Sequence, residues 1–228
     1  MCKITAIIPA AGSGKRFAAG KNKLFLPLGD QPILGYGLSL LSRRRDIGEI
    51  IIAAAQGEEK ICGEIAASYA AAKKVKIVKG GRERLDSVAL ALAEAEYPVV
   101  MVHDGARPLL EMDLVDRLLA ALTCDVDGVI PVLPLRDTIK QGDGSFVTGT
   151  LDRALLWATQ TPQVFHRECL FSAYVSAREQ GLFATDDAAL VEANGGKIAM
   201  VLGSDENFKI TRPLDLDLAQ FILKRRKA

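Results

Sequence analysis

Short runs rich in Ile and Val recur along this chain, and between them apolar residues fall at helical spacing. The runs cover residues 4–9, 49–54, 75–78, 99–103, 128–133 and 198–202. Consecutive apolar positions are what a strand buried on both faces requires. Between them, Ile33, Leu34, Gly37, Leu38 and Leu41 share one helical face. So do Leu85, Val88, Ala89 and Leu92, and again Leu114, Val115, Leu118, Leu119 and Leu122. A last helix is expected to start at Pro213, with Leu214, Leu218, Phe221 and Ile222 as its apolar stripe. Strand alternating with helix predicts parallel pairing and right-handed crossovers, an α/β sheet covered on both faces. With 228 residues and 49% hydrophobic content, the chain can bury a sizeable core, as one α/β domain or two small ones.

One region breaks the rhythm. Residues 135–165 carry "GDGS" between two β-prone pieces, which reads as a hairpin. On spacing alone it is either a surface insertion or an arm reaching a second subunit.

Charge and composition exclude several functions. The formal net charge is +1, with no basic face of the kind duplex binding demands. The basic run "KRRKA" at the C-terminus reads as a solvated helix end, where cations favour the helix dipole. The four cysteines, Cys2, Cys62, Cys124 and Cys169, form no C-x-x-C pair, so neither a zinc knuckle nor a disulfide framework is expected. With two histidines a histidine-rich metal site is excluded. No signal peptide and no membrane span is expected, and a reducing cytoplasm fits.

The first strand runs into "IPAAGSGKRF". It is not a Walker A loop, because Gly14-Lys15 is followed by Arg16 and Pro9 stands where the first glycine belongs. It is not a dinucleotide fingerprint either, since Phe17 replaces the third small residue and the second strand ends in "IIIAAAQ" without an acid. What remains is a strand, a loop of small residues and a cation pair. Small residues let backbone approach a ligand, their N–H groups can face phosphate oxygens, and Lys15, Arg16 and, farther on, Lys23 add charge.

Other constellations follow the later strands. In "VMVHDGARP", Asp104 falls at a strand's C-terminal end, the place where open α/β sheets bind ligands, to meet a ribose hydroxyl, a metal ion, or simply to cap a turn. His103 beside it reads as a packed structural residue. "GGRERLDSV" places a glycine turn before a helix, and "FKITRP" places Lys209 in a late strand before a helix. No Ser-His-Asp or Cys-His arrangement stands out, so cations and one carboxylate at strand ends point to phosphate chemistry run by charge stabilisation.

The order of "PAAGSGKRF", Lys23, "GGRERLDSV", "VHDGARP", "RDTIK", "TQTPQVF", "TDDAALVE" and "FKITRPLDL" resembles the 2-C-methyl-D-erythritol 4-phosphate cytidylyltransferase family along the whole chain. The resemblance implies a single Rossmann-like nucleotidyltransferase domain over residues 1–228, with a mostly parallel sheet and a projecting β-arm at 135–165 that makes a homodimer. It implies cytidylyl transfer from CTP to methylerythritol phosphate in non-mevalonate isoprenoid synthesis, with Mg²⁺. By motif, Ala10, Ala11, Gly12 and Gly14 would cradle CTP, and Gly81 and Ser87 would read the cytosine. Asp104 and Gly105 would lie by the ribose and the reacting phosphate. Arg16 and Lys23 would stabilise charge on the α-phosphate. Thr138, Arg153, Thr161, Thr185 and Lys209 would hold the acceptor, Arg153 coming from the other subunit. Two departures stand out. The family usually has Pro and Gln around the lysine, where this chain reads Asn22-Lys23-Leu24, and Gly105 stands where many members have Ala. A cytidylyltransferase acting on ribitol 5-phosphate is the alternative.

Overall fold

The structure, a computed structural model, describes residues 3–12 and 22–227. The first strand, β1 (Ile4–Pro9), lies at the middle of the sheet and is almost wholly buried. A short hairpin of β2 (Pro27–Leu28) and β3 (Gln31–Pro32) leads into α1 (Ile33–Arg43), which buries the apolar face expected for it. Then follow β4 (Ile47–Ala54), α2 (Glu59–Tyr69), β5 (Lys74–Lys79), α3 (Arg84–Ala93), β6 (Val99–Val102), α4 (Met112–Ala121) and β7 (Gly128–Pro134). The remainder is β8 (Lys140–Gly142), β9 (Val147–Thr150), β10 (Trp157–Thr159), β11 (Gln163–His166), α5 (Arg167–Gln180), α6 (Asp187–Ala193), β12 (Ile198–Leu202) and α7 (Pro213–Lys227).

The main sheet runs β5-β4-β1-β6-β11-β7-β12, with β10 also paired to β7. The expected parallel pairings hold for β1 with β4 and β6, β4 with β5, and β7 with β12. The exception is β11, which lies antiparallel between β6 and β7. Hydrophobic residues from both faces form two cores: Ile8, Leu34, Ile50 and Met101 against α1 and α4, and Ile7, Ile51, Val100 and Phe165 against α3 and α5. From β1 the chain moves outward to β4 and β5, then returns to the other side of β1 as β6. Strand order therefore reverses at β1, and a crevice opens beyond the C-terminal ends of β1 and β6, where α/β sheets take ligands.

Two expectations need correction at the C-terminal end. Of the expected stripe of α7, Ile222 is buried, but Leu214, Leu218 and Phe221 are exposed, and the helix packs through Leu216, Ala219 and Leu223 beside Ile222. Both sets have helical spacing, and the small Ala219 obscures the second. The basic run is also not merely solvated. Arg226 bridges Glu111 at 2.7 Å and Glu206 at 2.6 Å, tying the end of α7 to the body.

The expected hairpin at "GDGS" is present as the β8–β9 ladder, which pairs with no other strand among the described residues. Asp143 accepts from the Ser145 and Phe146 N–H groups at 2.9 and 2.8 Å, and Gly144 supplies the left-handed φ of 99° that the tip requires. No helix among the described residues is long and apolar enough to cross a membrane.

Candidate active site at the sheet reversal

The loop leaving β1 begins at Ala10, whose N–H donates to the Ala53 carbonyl at 2.8 Å, so the chain is still pinned to β4 as it turns. Ala11 and Gly12 follow; Gly14, Lys15 and Arg16 lie outside the described residues. The next described residue is Asn22, only 6% exposed. Its Nδ2 donates to the Ala10 carbonyl at 2.9 Å and to Glu58 at 2.8 Å, and its Oδ1 accepts from Leu24 N–H at 3.1 Å. Asn22 thus caps the 3-10 turn Lys23–Phe25 and moors Lys23 beside the Ala10 loop. The sequence marks Asn22 only as a departure; an Asn just ahead of a helical turn is the cap signal that identifies it.

Across the crevice, the turn after β5 is built by close approach. A Cβ on Gly80 would stand 2.4 Å from the Ala11 Cβ, and one on Gly81 would stand 2.2 Å from the Asp86 Cβ. Only glycine fits either position. Ser87 is buried and clasps this turn, accepting from Gly81 N–H and donating to the Glu83 carbonyl, both at 3.0 Å. Glu83 and Asp86 complete a reciprocal cap on α3. The Gly81–Ser87 turn is therefore held by its own hydrogen bonds.

Asp104 follows the tip of β6 and is 7% exposed. Its Oδ1 accepts from Arg84 Nε at 2.9 Å, and its Oδ2 pairs with Lys209 Nζ at 2.8 Å. Burial alone would raise the Asp104 carboxyl, but the two cations outweigh it and hold the group below the usual carboxylate range. Asp104 is therefore ionised at neutral pH. Arg84 also reaches Asp187 through Nη2 at 2.8 Å. Arg84 and Asp187 are not among the residues expected at the site. Two charged residues opening α3 and α6 read as ordinary cap chemistry in the sequence.

His103 is fully buried, and burial pushes its imidazole down to about 4, so it is neutral at pH 7. Its Nε2 lies 3.1 Å from the Arg107 carbonyl, which can only accept, so Nε2 carries the proton. Nδ1 then accepts from Thr161 Oγ1 at 3.3 Å, and that hydroxyl accepts from Asp104 N–H at 3.0 Å. The structure thus commits the Thr161 hydroxyl to holding the backbone of Asp104. Gly105 is buried against Ile8, Leu24 and Leu34. Gln160 and Asn207 clamp the segment leading to Lys209: Gln160 Nε2 donates to the Ser204 carbonyl at 2.8 Å, and Asn207 Nδ2 to the Thr161 carbonyl at 2.8 Å.

The residues expected to hold the acceptor are not gathered equally. Lys209 pairs with Asp104, but it lies in an irregular segment between β12 and α7 rather than in the expected strand, because 207–211 finds no neighbouring strand to pair with among the described residues. Thr185 is exposed just before α6. Thr138 and Arg153 are exposed in the 135–165 region, where Arg153 Nη1 donates to the Arg136 carbonyl at 2.6 Å. Among the described residues no group of three or more His, Cys, Asp or Glu side chains could hold a metal ion.

A sheet reversal flanked by a small-residue loop, a tight glycine turn and strand-tip charges is the ligand-binding geometry of the Rossmann-like α/β class. Residues 4–225 match the model of the family described as IspD, 2-C-methyl-D-erythritol 4-phosphate cytidylyltransferase. The chain belongs to this family. It is 42% identical to the protein of that name from Alkaliphilus metalliredigens over 229 residues, which covers 99% of this chain and 95% of that one. Among solved structures it resembles the Thermus thermophilus cytidylyltransferase of the same name, with a TM-score of 0.81, 35% identity, and 97% and 99% of the two chains covered. It also resembles 4-diphosphocytidyl-2C-methyl-D-erythritol synthase from Anaerococcus prevotii, with a TM-score of 0.86, 30% identity, and 98% and 99% covered.

Proposed function

We propose that the protein transfers a cytidylyl group from CTP to 2-C-methyl-D-erythritol 4-phosphate, releasing pyrophosphate. The observation that carries this reading is Asp104, ionised at the tip of β6 between Arg84 and Lys209, facing the crevice at the sheet reversal. Backbone around Ala10, Ala11, Gly12 and Gly14 would line the triphosphate, and the Gly80–Gly81 turn with Ser87 would take the cytosine edge. A backbone-lined slot braced this tightly suits a pyrimidine better than a purine.

The acceptor phosphate is already an anion, so no strong base is required. One of its oxygens attacks the α-phosphorus of CTP in line. The new P–O bond forms as the bond to pyrophosphate breaks, and pyrophosphate leaves with that electron pair. The barrier lies in bringing two polyanions together, which is a task for placed cations. Arg16 and Lys23 would stabilise charge on the α-phosphate. Lys209, Thr185, Thr138 and Arg153 would place the acceptor, while the Thr161 hydroxyl supports it through Asp104.

Both Asp104 oxygens are engaged by Arg84 and Lys209, so a divalent ion such as Mg²⁺, which keeps waters, would be held largely by the nucleotide phosphates. Asp104 is the residue that would meet it, and the ion would supply charge neutralisation on the phosphates.

A homodimer through the 135–165 arm accords with the apolar surface there: Phe146 and Leu155 are each 77% exposed, and Val147, Leu151 and Trp157 are also exposed. In that assembly Arg153 would serve the partner's crevice. A reducing cytoplasm suits Cys62, Cys124 and Cys169, which are free thiols.

The test is pyrophosphate release with Mg²⁺, comparing CTP with UTP and methylerythritol phosphate with ribitol phosphate. Release with CTP and methylerythritol phosphate alone is expected. Equal release with UTP, or release with ribitol phosphate in preference, would overturn the reading.

A further inference from the structure

The same chain contains two arginines that use the same guanidinium edge differently. Arg44 grips both oxygens of Asp46 through Nε and Nη2, at 3.0 and 2.7 Å, the usual two-pronged pairing, and shares Nη2 with the exposed Asp116 at 2.7 Å. Arg84 splits that edge. Its Nε goes to Asp104 at 2.9 Å and its Nη2 goes to Asp187 at 2.8 Å. Nη2 is turned away to the fully buried Asp187 and makes no bond to Asp104, so the second Asp104 oxygen is left to Lys209 Nζ at 2.8 Å.

Asp187 is 0% exposed, and its other oxygen accepts from the Tyr174 hydroxyl at 2.5 Å. Burial and the adjacent Asp187 and Asp186 carboxylates push the Tyr174 hydroxyl upward, with Arg84 opposing in part, so it stays a donor at all working pH values. A buried ion pair adds little to stability over apolar packing of the same shape. What a carboxylate can do here that an apolar side chain cannot is fix the direction of the guanidinium.

We propose that Asp187, braced by Tyr174, is a positioning residue that restrains Arg84 so that Asp104 can hold Lys209 where the acceptor phosphate docks. This rests on the reading of Lys209 as an acceptor ligand. Without Asp187, Arg84 closes on both oxygens of Asp104, as Arg44 does on Asp46, and Lys209 loses its seat. The nucleotide side is spared, because Gly81 and Ser87 are held by Glu83 and Asp86 rather than by Arg84, and the Asp104 backbone stays pinned by the Thr161 hydroxyl.

The experiment uses Asp187→Leu and Tyr174→Phe in the full chain. It measures kcat, KM for methylerythritol phosphate, CTP dissociation by calorimetry with Mg²⁺, and the melting temperature. For Asp187→Leu the acceptor KM should rise about tenfold or more, the loss of one charge-assisted contact, with CTP affinity unchanged within about twofold. Tyr174→Phe should move the same constant in the same direction by a few-fold, and it carries the test if Asp187→Leu does not fold. A merely structural strut would lower the folded fraction and hence kcat, leaving the acceptor KM alone. An unchanged acceptor KM, or CTP affinity lost in parallel, overturns the inference. An unsubstituted protein inactive with CTP and this acceptor overturns the functional reading itself, and the inference with it.

Discussion

Every polar atom of the Asn22 side chain is committed to the surroundings of Lys23: Oδ1 to the turn that carries the lysine, Nδ2 to Ala10 and to Glu58. Asn22 thereby fixes the backbone from which Lys23 extends beside the Ala10 loop, a defined starting point for charge stabilisation. Lys23→Ala should therefore lower turnover by ~10²–10³, the usual cost of one such group. Steady-state assay at saturating substrates checks this, and near-normal turnover would remove Lys23 from the chemistry. His103 makes a prediction about stability. Its folded value is depressed to about 4 from 6.5, so the unfolded chain takes the proton first as pH falls. The contribution is fully present above pH 6.5 and is lost as pH falls toward 4, up to about 3 kcal/mol in all. Urea unfolding between about pH 7 and 5 should show stability falling with pH. A flat profile would mean that the buried ring is not held neutral.

At the scale of elements, α7 separates apolar pattern from apolar packing. Leu218 is half exposed, whereas Ile222 is 6% exposed and packs into the core. Leu218→Gln should change stability by no more than about 0.5 kcal/mol, and Ile222→Ala should cost about 2–5 kcal/mol. Denaturant melts of the two variants compare them directly. The strands at 4–9 and 198–202 are legible from unbroken apolar runs, which coincide with β1 and β12, and α1 is legible from its helical spacing. The β11 strand is not, since QVFH is too short to show a period and its antiparallel pairing is decided by neighbours distant in the chain. Within the site, Asp104 and Lys209 are legible from strand ends and motif order. Arg84, Asp187 and Asn22 are not, because their roles arise from contacts across the fold, Arg84 reaching residues on the far side of the crevice. Thr161 is legible as a site residue, yet its hydroxyl faces His103 and the Asp104 backbone.

For the whole molecule, the sheet reversal between β1 and β6 decides where chemistry can occur, and under the proposed dimer the 135–165 arm would decide how many chains take part. Exposed Phe146, Leu155 and Trp157 on one excursion are costly for a lone chain and natural for a paired one. Replacing Leu155 and Trp157 together by Ser should shift the protein to monomer in sedimentation analysis and depress turnover, since Arg153 then reaches no second crevice. A monomeric unsubstituted protein with full activity would refute the shared site. The central event is direct movement of the α-phosphorus of CTP onto the acceptor phosphate. CTP labelled at that phosphorus, incubated with the protein, Mg²⁺ and methylerythritol phosphate, should deliver the label into a cytidine diphosphodiester of the acceptor, with unlabelled pyrophosphate released in equal amount. Label found only in free CMP, or remaining in CTP, would contradict it.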